Sequence, residues 1–116
     1  MSRPRPVVVA PGQGLRFGNV EFLARSADTP RFNVGIVTMT PGRRLGQHVH
    51  DDEDDSFYIL SGTLTFEFGD ERLVAGPGTF VLVPPGLEHG FANEGETDVR
   101  MLNIHAPAGF DTRLLG

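Results

Sequence analysis

The feature that most limits what this chain can fold into is its punctuation. Fifteen glycines and nine prolines are spread through 116 residues. Proline cannot donate to a ladder and ends strands, while glycine supplies turn conformations. Between these breaks lie short runs rich in β-branched and aromatic residues, which read as many short strands joined by turns. The runs are Val7–Ala10, Leu15–Phe17, Val20–Ala24, Asn33–Met39, Gln47–His50, Ser56–Ser61, Thr63–Phe68, Glu71–Ala75, Thr79–Val83, His89–Ala92 and Val99–Ala106. Alternation is clearest in Thr63–Phe68, where Leu64, Phe66 and Phe68 share one face. Ser61-Gly62 and Gly69-Asp70 sit where tight hairpin turns are expected. Only Asp111–Leu115 suits a turn of helix. Strands this short and numerous hide their edges by closing into a barrel or sandwich, so the expected class is all-β.

The length fits one domain spanning residues 1–116. A domain this small buries a limited share of its surface, so pairing into a homodimer is expected. With no cysteine there is neither a disulfide framework nor a thiolate metal site. A formal net charge of −5 argues against a nucleic-acid surface. No run of 18 apolar residues occurs, so no membrane span is expected. Val7–Ala10 is too short for the apolar segment of a signal peptide, which makes a cytoplasmic location the default.

The four histidines are His48, His50, His89 and His105. His48 and His50, two apart in an expected strand, would point to one face and could reach one ion. Carboxylates follow at once in Asp51, Asp52, Glu53, Asp54 and Asp55. The turn Pro84-Pro85-Gly86 could aim His89 back inward. Imidazoles with one carboxylate suit Fe, Mn, Co, Ni, Cu or Zn as a single divalent ion, and not Ca or Mg. On residue types alone, a solvated acidic loop beside a surface His pair stays equally open.

The segment Gly42–Gly62 reads G-x5-H-x-H-x4-D-x6-G, and Gly78–Asn93 reads G-x5-P-x-G-x2-H-x3-N. The two resemble the paired motifs of the cupins, with Asp55 where the first motif has Glu. The short spacing between them, Thr63 to Pro77, is that of small microbial cupins. The resemblance covers residues 32–110 and implies a cupin-type double-stranded β-helix, a jelly-roll barrel. It implies His48, His50, Asp55 and His89 as metal ligands. Asp55 is one methylene short of the usual Glu, so Glu53 is a reserve ligand. Gly42, Gly62, Gly78 and Gly86 are read as backbone positions closed to other residues, and Asn93 as a loop brace. The N-terminal strands, residues 7–24, are expected in dimer contacts.

His105 belongs to neither motif. Nothing in its local pattern shows whether it faces the cavity: a surface or partner-contact histidine is the default, with a second-sphere acid or base as the alternative. Asn103 shares its parity and would share its fate. Phe57, Ile59, Phe80 and Leu82 are the expected apolar cavity wall, and a small-molecule substrate or ligand is the expected partner. The intermotif stretch resembles the quercetin-dioxygenase-like branch. It implies a metal-dependent, dioxygenase-like oxidoreductase acting on a phenolic or enolisable compound, with Asp55 as a possible base. The alternatives are a non-redox isomerase, cyclase or lyase, and a barrel that binds a small molecule without catalysis.

Overall fold

The computed structural model describes residues 3–115. Ten strands form in chain order: β1 Leu15–Phe17, β2 Val20–Ala24, β3 Asn33–Met39, β4 Arg44–His48, β5 Asp54–Ser61, β6 Leu64–Phe68, β7 Glu71–Ala75, β8 Phe80–Val83, β9 His89–Ala92 and β10 Val99–Ala106. One short helix, α1 (Phe110–Leu115), follows. A six-stranded sheet runs β1-β2-β3-β10-β5-β8 and a four-stranded sheet runs β4-β9-β6-β7. Among the described residues every strand pairing is antiparallel. The all-β, double-stranded β-helix expectation holds.

The core lies between the two sheets, because alternation sends every second apolar side chain inward. In β10, Val99 and Met101 are fully buried, while Arg100 between them is exposed. Three phenylalanines join the sheets. Phe57 of β5 meets Phe66 of β6 at 5.2 Å and Phe91 of β9 at 5.4 Å, both edge to face. Such pairs add about 0.5–1.5 kcal/mol each beyond their burial. Leu64 and Phe66 are fully buried and Phe68 packs beside them, as alternation requires.

The expected N-terminal strand does not form. Residues 3–10 carry no ladder, and Val7 and Val8 are 60% and 82% exposed. β-Branched composition makes a strand only where a partner ladder is available, and Pro4, Pro6 and Pro11 remove donors from this segment. Among the described residues no helix is long and apolar enough to cross a membrane.

Two glycines decide how closely neighbouring strands approach. Gly62 sits at φ +78° in the turn from β5 to β6, where its backbone crowds Val99. Gly90 lets β4 lie close on β9: a Cβ there would stand 2.8 Å from the Leu45 carbonyl oxygen and 2.9 Å from the Gln47 nitrogen. That close approach sets His48 opposite His89 in the ladder.

Candidate metal centre

The site assembles from both sheets. His48 closes β4 and His89 opens β9, on the four-stranded sheet. Asp55 lies on β5 and pairs with His105 of β10, on the six-stranded sheet. β4 ends at His48, so His50 lies in the irregular segment beyond it rather than on the strand. Its ring still turns to the same place, with centroids 4.8 Å from His48 and 5.3 Å from His89.

His48, His50, Asp55 and His89 offer ligand atoms all within 4.8 Å of one another. Asp55 Oδ2 is 3.0 Å from His89 Nε2 and 3.5 Å from His50 Nε2. Two atoms held at a right angle, each about 2.1 Å from one ion, stand about 3.0 Å apart. His48 Nδ1 and His89 Nδ1 each lie near a carbonyl two residues back, Gly46 O at 3.0 Å and Leu87 O at 2.9 Å. With the proton on Nδ1 donated to that carbonyl, Nε2 presents a lone pair inward. In His89 this lone pair would face a carboxylate oxygen, acceptor against acceptor, so the position calls for a cation. His50 Nε2 is buried with no hydrogen-bond partner among the described residues. Such an orphan costs about 1–3 kcal/mol. These two atoms fit a bound metal ion better than a closed polar core.

The electrostatics agree. Burial pulls His50 below the ordinary imidazole range, which keeps its lone pair free of a proton. Burial also opposes charge on His89, but hydrogen bonds to Asp55 and to the Leu87 carbonyl outweigh it and raise that pKa. His89 is thus the ring of the cluster on which Asp55 favours a positive charge.

His105 corrects the surface reading. It is 3% exposed and faces the site, with Nε2 3.2 Å from Asp55 Oδ1 and Nδ1 3.4 Å from Glu53 Oε1. Its Nδ1 is also buried without a hydrogen-bond partner among the described residues. Phe110 of α1 stacks on its ring, 4.1 Å between centroids and 6° from parallel. Burial lowers its pKa. Asn103 shares its face as expected and donates to Asp55 Oδ1 at 2.7 Å.

Glu53 does not join the three motif histidines. It forms a second group with His50 and His105 and is gripped by Arg113, whose Nη1 and Nη2 donate at 2.9 and 2.6 Å. That hydrogen bond is the main reason its carboxyl sits below the usual range. A carboxylate already neutralised by a guanidinium is a poor cation ligand, so the reserve role has little support. Arg113 and Phe110 are additions that sequence reasoning misses, since nothing in the local pattern of residues 110–115 points toward residues 53 or 105. Asn93 braces its loop, donating to Met39 O and Thr97 O. The motif glycines 42, 62, 78 and 86 all have positive φ.

A cavity of about 210 Å³ opens beside the cluster. His48, His50, Asp55 and His105 form its polar side, and Val37, Met39, Phe57 and Phe91 its apolar side. Of the expected wall, only Phe57 is there. Ile59 is completely buried in the core beyond it. Phe80 and Leu82 point outward, 58% and 54% exposed, because β8 pairs Val81 with Phe57 and Val83 with Asp55 and so turns those two valines inward.

Comparison with known proteins agrees with this geometry. The family profile described as Cupin domain matches residues 35–105. Polyketide synthase CurC of Streptomyces cyaneus is 26% identical over 60% of this chain and 45% of its own. Germin-like protein subfamily T member 3 of Arabidopsis thaliana is 29% identical over 90% of this chain and 45% of its own. The chain spans between 17% and 50% of the length of the first curated relatives it matches. Among solved structures, TT1209 from Thermus thermophilus superposes with a TM-score of 0.73 at 22% identity, covering 90% of this chain and 100% of that one. The matched span contains His48, His50, Asp55 and His89, and the chain belongs to the cupin family.

Proposed function

We propose that this cupin is a metal-dependent enzyme that moves a proton on a small enolisable compound, in the manner of an isomerase, cyclase or lyase. The observation that carries this reading is His105, a buried imidazole between Asp55 and Glu53 on the cavity wall, whose Nδ1 has no hydrogen-bond partner among the described residues. His48, His50, Asp55 and His89 would hold one divalent transition metal. When bound, that ion would supply Lewis acidity toward a carbonyl or hydroxyl oxygen of the ligand.

The chain's own residues do the rest. Val37, Met39 and Phe91 seat the apolar body of the ligand and exclude water from that side. His105 is kept neutral by burial, so it can accept a proton from the carbon or hydroxyl beside it. The imidazolium so formed is stabilised by the two carboxylates, and the same proton returns to a different atom of the ligand. Phe110 fixes the ring plane through its stack, and Arg113 keeps Glu53 ionised and in place. The relationship to Polyketide synthase CurC fits a substrate with several carbonyl or phenolic oxygens.

The test is deuterium uptake from D2O into enolisable carbonyl compounds, followed by NMR without oxygen, in metal-loaded protein. Exchange that disappears in His105→Gln at unchanged metal content supports the reading. Exchange equal in the two proteins overturns it. A second reading, an O2-using dioxygenase-like enzyme, rests on the donor set of three imidazoles and one carboxylate, which leaves coordination positions open. Oxygen uptake with a phenolic compound, dependent on iron, copper or nickel, favours it.

A further inference from the structure

Among the described residues, three of formal charge line the cavity: Arg43, Arg44 and Asp55. Asp55 belongs to the metal centre. Arg44 is taken up by two carboxylates, Glu67 and Glu94. Arg43 is exposed and forms no ion pair among the described residues. Alternation explains the split. Arg43 and Leu45 share one side of the chain as it enters β4, and Leu45 pairs with Phe91 on the cavity wall, while Arg44 turns the other way. A register shift between Leu45 and His48 then brings His48 back to the cavity.

The root of Arg43 is fixed. Its amide donates to Thr40 O at 3.1 Å, its carbonyl accepts from Asn93 N at 2.9 Å, and Gly42 N donates to Asn93 O at 2.8 Å. A guanidinium carried on a fixed backbone loses less freedom when it takes an anion. Strand β3 measures its separation from the chemistry. Asn33, at the start of β3, pairs with His105, and Met39, at its end, adjoins the Thr40 carbonyl that holds Arg43. Arg43 stands five residues before His48, at most roughly 16 Å of extended chain. His105 and the metal ligands thus lie toward one end of the cavity and Arg43 toward the other.

We infer that Arg43 selects the substrate by seating a carboxylate remote from the reacting carbonyl, so that the ligand is a keto acid with several carbons between its two oxygen functions. The inference rests on the enolisable-substrate reading above and names its chemical class. The guanidinium fork matches the two oxygens of a carboxylate. One cation neutralises one charge, and a phosphate dianion would keep a second charge inside a chain of net charge −5. Asn19 stands at the same end, its carbonyl accepting from Thr38 N. Its side-chain amide meets only Met39 Sδ, at 3.6 Å, and sulfur is a weaker acceptor than a carboxylate oxygen. Val37 and Met39 offer apolar cover for the carbons between.

The experiment is an NMR shift titration of the isotope-labelled, zinc-loaded full chain with 6-oxoheptanoate and with 2-heptanone, the same chain bearing a methyl in place of the carboxylate. Wild type at low salt is expected to bind the keto acid about three- to tenfold more tightly, the effect of a charge-assisted pair open to solvent. Arg43→Gln should bind the two compounds equally. Its side chain is exposed, so the substitution spares the core, and the unliganded spectrum checks the fold. Equal binding by wild type, or no binding of the keto acid, overturns the inference. So does a preference kept in full by Arg43→Gln, which would put the carboxylate on the metal instead. The titration needs no turnover, so an absent exchange reaction and an absent carboxylate preference are separate results.

Discussion

Asn103 Nδ2 donates to Asp55 Oδ1 at 2.7 Å, behind the oxygen that Asp55 turns toward His89. The aspartate is therefore aimed, with one oxygen tied to the sheet and the other left for the site. Asn103→Ala should release it and weaken metal binding about 10–100-fold, the usual effect of losing an outer partner of a ligand. Titration of the metal-free protein with Zn(II) or Mn(II) measures this. An unchanged affinity would mean that Asp55 needs no brace.

His50→Ala should lose its metal on dialysis while the barrel stays folded, because the core between the sheets is apolar. Elemental analysis reads the first outcome and thermal melting the second. Full metal content in that variant refutes the proposed donor set. A collapse of the melting transition on chelation of wild type would show that this fold, like a zinc finger, draws its stability from the ion.

Acid should loosen the C-terminal helix through Asp111. Burial alone would raise its pKa, but bonds from the Ser26 hydroxyl at 2.5 Å and the Ser26 amide at 2.8 Å outweigh it, and the group sits below its ordinary value of 3.8. A carboxyl whose folded pKa is depressed stabilises fully above the unfolded value and loses that contribution as pH falls through the folded one. Asp111→Asn should therefore cost about 1–3 kcal/mol at pH 7. It should also flatten the decline of wild-type stability below pH 4. Urea denaturation at stepped pH checks both. Parallel curves for the two proteins would remove Asp111 from the account.

Phe66→Ala should cost about 3–5 kcal/mol, the range for emptying a fully buried aromatic site. Phe66 is completely buried and touches both Phe57 and Phe91. Equilibrium unfolding in urea gives the number. A loss under about 1 kcal/mol would mean that the sheets close over the gap.

The strands are legible wherever alternation is strong and a turn residue stands at each end, as in β3, β6 and β10. Val7–Ala10 shows the limit, since composition carries propensity but says nothing of a missing ladder partner. The convergence of His48 and His50 is legible although the strand stops at His48, because motif spacing survives a change in local backbone. Phe80 and Leu82 fall on the wrong side by one step of parity, which a single strand cannot reveal without its register against β5. His105 and Asn103 become part of the site only when β10 is placed beside β5. The grip of Arg113 on Glu53 spans 60 residues of chain and leaves no trace in local sequence.

Gly90 is no metal ligand and has no side chain to offer a substrate, yet it governs whether His48 and His89 stand opposite each other. The mildest replacement, alanine, adds a methyl group where Leu45 and Gln47 leave no room for one. Strand β4 would have to lift away, carrying His48 out of alignment with His89. Drift at this position is thus closed off by geometry alone: a residue without a side chain constrains the chemistry as tightly as those that perform it.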